Sequence, residues 1–140
     1  MSDSEIENEK IISKYDYCLK LKTNDATRLA LETTNIDEII ALSKHPEPTV
    51  RKKSLVQMCP CRVKEDIDKF WNRVFDMRND PDAIVRDQVL HTICDGSPKH
   101  LEYRVVEALD DFNRDSDSNI RRKAHKVLVT YWNKGKWNIL

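Results

Sequence analysis

Hydrophobic and polar positions follow the period of a helix along most of this chain. Val85, Val89, Leu90 and Ile93 fall at i, i+4, i+5 and i+8, one stripe of an amphipathic helix, with polar residues between them. Read along the sequence, this pattern predicts paired helices. The first of each pair covers residues 35–44, 64–78 and 98–112, and the second covers 48–59, 83–94 and 118–134. Inside each pair the turn carries an acid at a helix N-cap position (Glu47, Asp82, Asp117), where a carboxylate can accept from the orphan amides of the first turn. Pro48 suits the first helical position, where no N–H is needed. Between pairs, Cys59-Pro60-Cys61 and Asp95-Gly96-Ser97-Pro98 stand as breakers in the same slot.

The pairs are copies of one unit. Pro46-Glu47-Pro48-Thr49-Val50-Arg51 returns as Pro81-Asp82-Ala83-Ile84-Val85-Arg86 and as Ser116-Asp117-Ser118-Asn119-Ile120-Arg121, each time after 35 residues. The register continues on both sides without an insertion. It aligns Ile39 with Val74 and Leu109, Leu42 with Met77 and Phe112, and Ile36 with Trp71 and Val106. Downstream it aligns Ser54 with Val89 and Ala124, Leu55 with Leu90 and His125, and Met58 with Ile93 and Leu128. A lone helix pair cannot bury its apolar face, so neighbouring pairs must stack. The expected fold is therefore all-α, an α-solenoid of three stacked helix pairs over residues 35–140. Residues 11–34 supply N-terminal capping helices, with Ile12, Tyr15 and Leu19 at i, i+3 and i+7 and a shorter apolar run at Leu29, Ala30 and Thr33. Residues 1–10 form a mobile acidic N-terminus. At the other end, Gly135 can stop the last helix and release Trp137, Ile139 and Leu140 to fold back.

Asp-Pro-Asp followed by Val-Arg, with small and large apolar residues along the second helix, resembles the HEAT repeat, in particular the short-unit variety named after phycobilisome lyases. The resemblance covers about residues 35–132 and is strongest over 80–90. It implies an armadillo-like interaction scaffold and says little else about function. It also implies a ladder in which an Asp six residues before the arginine pairs along the stack: Asp80 with Arg86, and Asp115 with Arg121. The first unit departs from that pattern, with His45 where the acid would stand. A role as accessory subunit of a lyase-like enzyme, handling a small prosthetic group, rests on the resemblance alone.

Composition narrows the chemistry. The 140 residues are 34% charged and 39% apolar with two glycines, which suits helices with solvated faces, and no stretch approaches the roughly 20 apolar residues of a membrane span. Met1 to Lys10 holds four acids and one lysine, unlike a secretory or transit signal, so a cytoplasmic address and reduced thiols are expected for the four cysteines. Cys59, Cys61 and Cys94, with His91 one turn before Cys94, raise the question of a metal. Stacked units lie roughly 10 Å apart, whereas zinc draws its ligands to within about 2.3 Å of one point, so inert thiols are the simpler reading and no metal or cofactor is expected. There is no glycine-rich phosphate loop, no serine flanked by glycines and no His-Glu-x-x-His. Asp110 and Asp111 diverge as helix neighbours, and an enzyme is not expected.

The repeating arginines Arg51, Arg86 and Arg121 are open to two readings, a structural ladder or a row for an anionic partner. Net charge is zero, from 24 basic and 24 acidic residues, yet Ser118 to Leu140 holds six Lys or Arg and no acid. Arg122, Lys123, Lys126, Lys134 and Lys136 with Trp132 are therefore candidate nucleic-acid contacts, against the alternative of a solvated terminal face. Removing the core stripe from the second helices leaves Lys53, Val56, Gln88, His91, Lys123 and Lys126 along an inner face. That mixed ladder suits an acidic or amphipathic segment of a partner protein bound to a monomeric chain. Phe70 is expected in the core and Trp71 partly exposed on the outer helices.

Overall fold

The computed structural model describes residues 2–6, 14–57 and 68–140. The calls on Ile12, Met58, Cys59, Pro60, Cys61 and the beginning of the helix expected at 64 lie outside the described residues, as does most of the expected mobile segment. Among the described residues the chain is helical, with no strand. Contacts divide it into two compact units, Met1–Gln57 and Met58–Leu140.

In the first unit, α1 (Tyr17–Lys20) lies against α3 (Ile36–Leu42), and α2 (Thr23–Glu32) packs along α4 (Pro48–Gln57). The run expected as a short apolar turn is thus a ten-residue helix, and it makes the broadest contact of the unit. Ala26 and Ala30, one turn apart and fully buried, let α2 approach closely, and Cys18, Ala41, Leu42 and Val50 complete the same core. Asn35 heads α3 by accepting from the Asp37 and Glu38 amides at 2.9 and 3.3 Å.

The second unit holds two successive pairs. α5 (Asp68–Asp76) runs into a 3-10 turn, Met77–Asn79, and packs on α6 (Ala83–Gly96). A second 3-10 turn, Lys99–Leu101, leads into α7 (Glu102–Phe112), which packs on α8 (Ser118–Lys134), and α6 touches both of these helices. Phe70 is in the core as expected. Trp71 is too: it is 3% exposed, its ring 4.8 Å from that of Phe70. The indole lies against Phe70, so position 71 belongs to the core of the second unit and not to its outer face.

Residues one period apart have like environments. Val50, Val85 and Ile120 are all buried, and so are the sets Ile39, Val74, Leu109 and Leu42, Met77, Phe112. Two sets break ranks: Leu55 and Leu90 are buried and His125 is exposed, and Trp71 is buried while Ile36 and Val106 are half-buried. Gly135 adopts φ 67° and its N–H bonds to the Tyr131 carbonyl at 2.7 Å, ending α8 in the left-handed turn that glycine favours. The chain then returns to the end of α6. Trp137 is buried and its indole donates to Ser97 Oγ at 2.7 Å, while the Leu140 N–H bonds to the Cys94 carbonyl at 2.9 Å.

Equivalent positions therefore predict unequal costs. Leu90→Ala should destabilise the protein by about 2–5 kcal/mol through the cavity it leaves, and His125→Ala, one period on, should stay within about 0.5 kcal/mol of the parent, both read from urea denaturation midpoints.

Candidate interaction surface

Each turn within a pair is closed by the same two devices. The first is an arginine reaching back six residues: Nη1 of Arg51, Arg86 and Arg121 donates to the carbonyl of His45, Asp80 and Asp115 at 3.0, 2.9 and 2.6 Å. The second is a side chain that accepts the amide two residues ahead. Asp80 Oδ1 takes the Asp82 N–H and Asp115 Oδ1 the Asp117 N–H, both at 2.9 Å. Asp82 and Asp117 then cap α6 and α8, accepting from Ile84 at 3.0 Å and from Asn119 and Ile120 at 2.9 and 3.0 Å.

His45 is not a gap in this scheme. Its Nδ1 accepts the Glu47 N–H at 3.1 Å, the bond that an aspartate makes in the other two turns. With Nδ1 accepting, the ring proton sits on Nε2, which donates to the Leu21 carbonyl at 2.8 Å. The buried imidazole thus closes its own turn and ties it to the turn between α1 and α2, where a carboxylate could offer only acceptors.

The ladder runs differently from the family expectation. Arg86 does not take the side chain of Asp80. It forks onto Asp115 of the following pair, Nε to Oδ2 at 2.9 Å and Nη2 to Oδ1 at 3.1 Å, with the two side chains 13% and 8% exposed. Arg121 likewise meets the carbonyl of Asp115 and not its carboxylate, which faces Arg86. An arginine already gripping the carbonyl six residues back aims the rest of its fork outward along the stack, at the next turn. Burial pushes the Asp115 carboxyl up, but the Arg86 hydrogen bonds and the Asp117 amide outweigh it and hold the group below the usual carboxylate range. Arg86 is raised in turn, chiefly by its bond to Asp115.

Of the partner-binding candidates, Gln88, His91, Lys123 and Lys126 lie on α6 and α8 within the second unit, and Lys53 and Val56 lie on α4 of the first. His91 and Lys126 are exposed, Gln88 is half-buried and donates to Thr92 Oγ1 at 3.4 Å, and Lys53 is exposed beside a half-buried Val56. Lys123 is neutralised by Asp87 at 2.7 Å, a carboxylate that the sequence reading passed over. Among the nucleic-acid candidates, Arg122, Lys123, Lys126, Lys134 and Lys136 are all exposed. Trp132 is 63% exposed, but it continues the line of Arg121, His125 and Val129, a stripe apart from Lys123, Lys126 and Lys134.

His91 and Cys94 point to different surroundings, one to solvent and one to the core, where burial pushes the Cys94 thiol up to about 12. Asp111 contacts Arg78 and Arg114, each at 3.4 Å. A groove of about 290 Å³ lies between α5 and α7, and its arginines are already engaged: Arg104 stacks on the Phe75 ring at 4.4 Å and donates to Asn72, and Arg78 meets Glu107. Among the described residues no group of three or more His, Cys, Asp or Glu could hold a metal ion, and no helix is long and apolar enough to cross a membrane. No protein-family model matches the chain, and neither the curated proteins nor the solved structures yield a match.

Two outcomes follow from the turns. Asp115→Asn, which strands Arg86, should cost about 3 kcal/mol at neutral pH. Because the folded carboxyl titrates below its unfolded value, this contribution is complete above the ordinary carboxylate range and fades as pH falls through the lowered pKa. Urea denaturation of both proteins across that range should show the gap closing with acid. His45→Asp, although it installs the residue of the other turns, should destabilise by about 1–3 kcal/mol, because the Leu21 carbonyl loses its donor and meets a carboxylate. Thermal or urea midpoints at neutral pH check it.

Proposed function

We propose that this protein is a non-enzymatic interaction module, a HEAT-like α-solenoid that holds a segment of a partner protein along the inner face of its second helices. The observation that supports the reading best is a division of labour within each repeat. Residues at the recurring apolar, arginine and turn positions are spent on packing and turn closure, whereas His91 and Lys126, one period apart, stand exposed beside them and Gln88 is half-buried. An amide, an imidazole and an ammonium in sequence offer single hydrogen bonds and one charge, which fits an acidic amphipathic helix. Within the first unit, Lys53 and Val56 stand at the equivalent positions of their own repeat, Lys53 exposed and Val56 half-buried. The free, buried thiols of Cys18 and Cys94 accord with a cytoplasmic setting.

Nucleic-acid binding through α8 is less well supported. Asp87 neutralises one of its lysines, and Trp132 does not share their stripe, so a backbone-tracking groove with a stacking aromatic is not assembled.

Affinity capture from native extract, with and without nuclease, tests the choice. The expected result is a protein retained after nuclease treatment and lost when Lys53, Gln88, His91 and Lys126 are truncated to alanine together. Capture that disappears with nuclease, or that is indifferent to the four truncations, overturns the reading.

A further inference from the structure

Comparing the two pairs of the second unit, position by position, isolates a surface that one pair covers and the other leaves bare. On α6, Leu90 and Cys94 are fully buried and Arg86 is engaged by Asp115. One period later the same positions hold Arg121, His125 and Val129, all exposed, and Trp132 extends their line at 63% exposure. The first helices agree: Trp71 is buried, while Val106, its equivalent on α7, is only half-buried, beside Tyr103 at 81% exposure. The returning chain after Gly135 packs against the end of α6 and leaves this face open.

The geometry points to this face as a docking site for a helix pair of another protein, one whose inter-helix turn carries an aspartate. Two observations choose the occupant. The face continues, by one period, the interface that α5 and α6 already make with α7 and α8, so its shape is complementary to a helix pair and not to an extended strand. Arg121 grips the Asp115 carbonyl as Arg86 grips that of Asp80, which aims the rest of its guanidinium where Arg86 holds a carboxylate. Among the described residues no carboxylate hydrogen-bonds Arg121.

A second copy supplies the wrong chemistry. Symmetric pairing of α8 on α8 would set against each other two helices that carry basic residues and no Asp or Glu. The aromatics supply apolar area, and the arginine sets the register of the turn. This surface is distinct from the inner ladder proposed above, so either can fail without the other.

The probe is a synthetic hairpin of residues 98–134, which carries the Asp115 turn, stapled on its solvent side and confirmed helical by circular dichroism. It is titrated into the full chain labelled with nitrogen-15. The expected result is a shift of the Trp132 indole resonance on binding. Affinity should fall on the order of tenfold when the hairpin carries Asp115→Asn, or when the full chain carries Arg121→Gln or, as a variant remote from the turn, Trp132→Ala. Absence of binding, or binding indifferent to all three substitutions, overturns the proposal. So does a dimer of the full chain in sedimentation that Val129→Glu abolishes, because a copy of the chain would then be the occupant.

Discussion

An arginine in the first turn of a helix, reaching back to a carbonyl six residues earlier, is the contact on which the rest of this structure depends. It appears in all three repeats at 2.6 to 3.0 Å. A turn between two helices is the part of a helix pair with the most backbone freedom to lose, and a charged donor on a main-chain acceptor fixes it without needing a partner from elsewhere. Once the turn is fixed, the angle between the helices follows, and with it the set of side chains that face the next pair. Val50, Val85 and Ile120, each directly before its arginine, are buried in all three repeats.

Fixing the arginine by one nitrogen leaves the rest of its fork to be used between pairs. Arg86 shows the consequence in its two-point grip on Asp115, an acid that also braces its own turn by accepting the Asp117 amide. One carboxylate thus serves two neighbouring pairs, and its protonation would loosen a turn and an interface at once. His45 reaches a similar end with different chemistry, one ring nitrogen turned to its own turn and the other to the Leu21 carbonyl.

The 35-residue period made the helices, their pairing and most of the core legible, because burial at one position could be read across to its equivalents. What it could not convey is which neighbour a repeated group meets. Asp115 and Arg121 stand at the spacing of a pair within one unit, and only the direction of the guanidinium shows that the carboxylate belongs to Arg86. Trp71 was misjudged because its equivalents Ile36 and Val106 are half-buried, whereas the indole packs on Phe70 inside the core, a contact that the period does not carry. His45 looked like a defect when judged by charge and proves equivalent when judged by what it accepts. Of the candidate surface, the exposure of His91 and Lys126 was readable from the helical stripe. The Asp87 partner of Lys123 was not, since it arrives from the adjacent helix. The open face on α8 did leave a trace, in the histidine aligned with Leu55 and Leu90.

The return of the chain after Gly135 changes how this part of the protein can come apart. In a repeat array, contacts join nearest neighbours, and an outer pair ordinarily frays alone. Here Trp137 reaches back 40 residues to Ser97 and Leu140 reaches back to Cys94, stitching the last helix to the pair before it. Peeling α8 away would expose a buried indole and release the acceptors at the foot of α6 in the same event, so the two pairs should melt as one cooperative block and exchange their amides together.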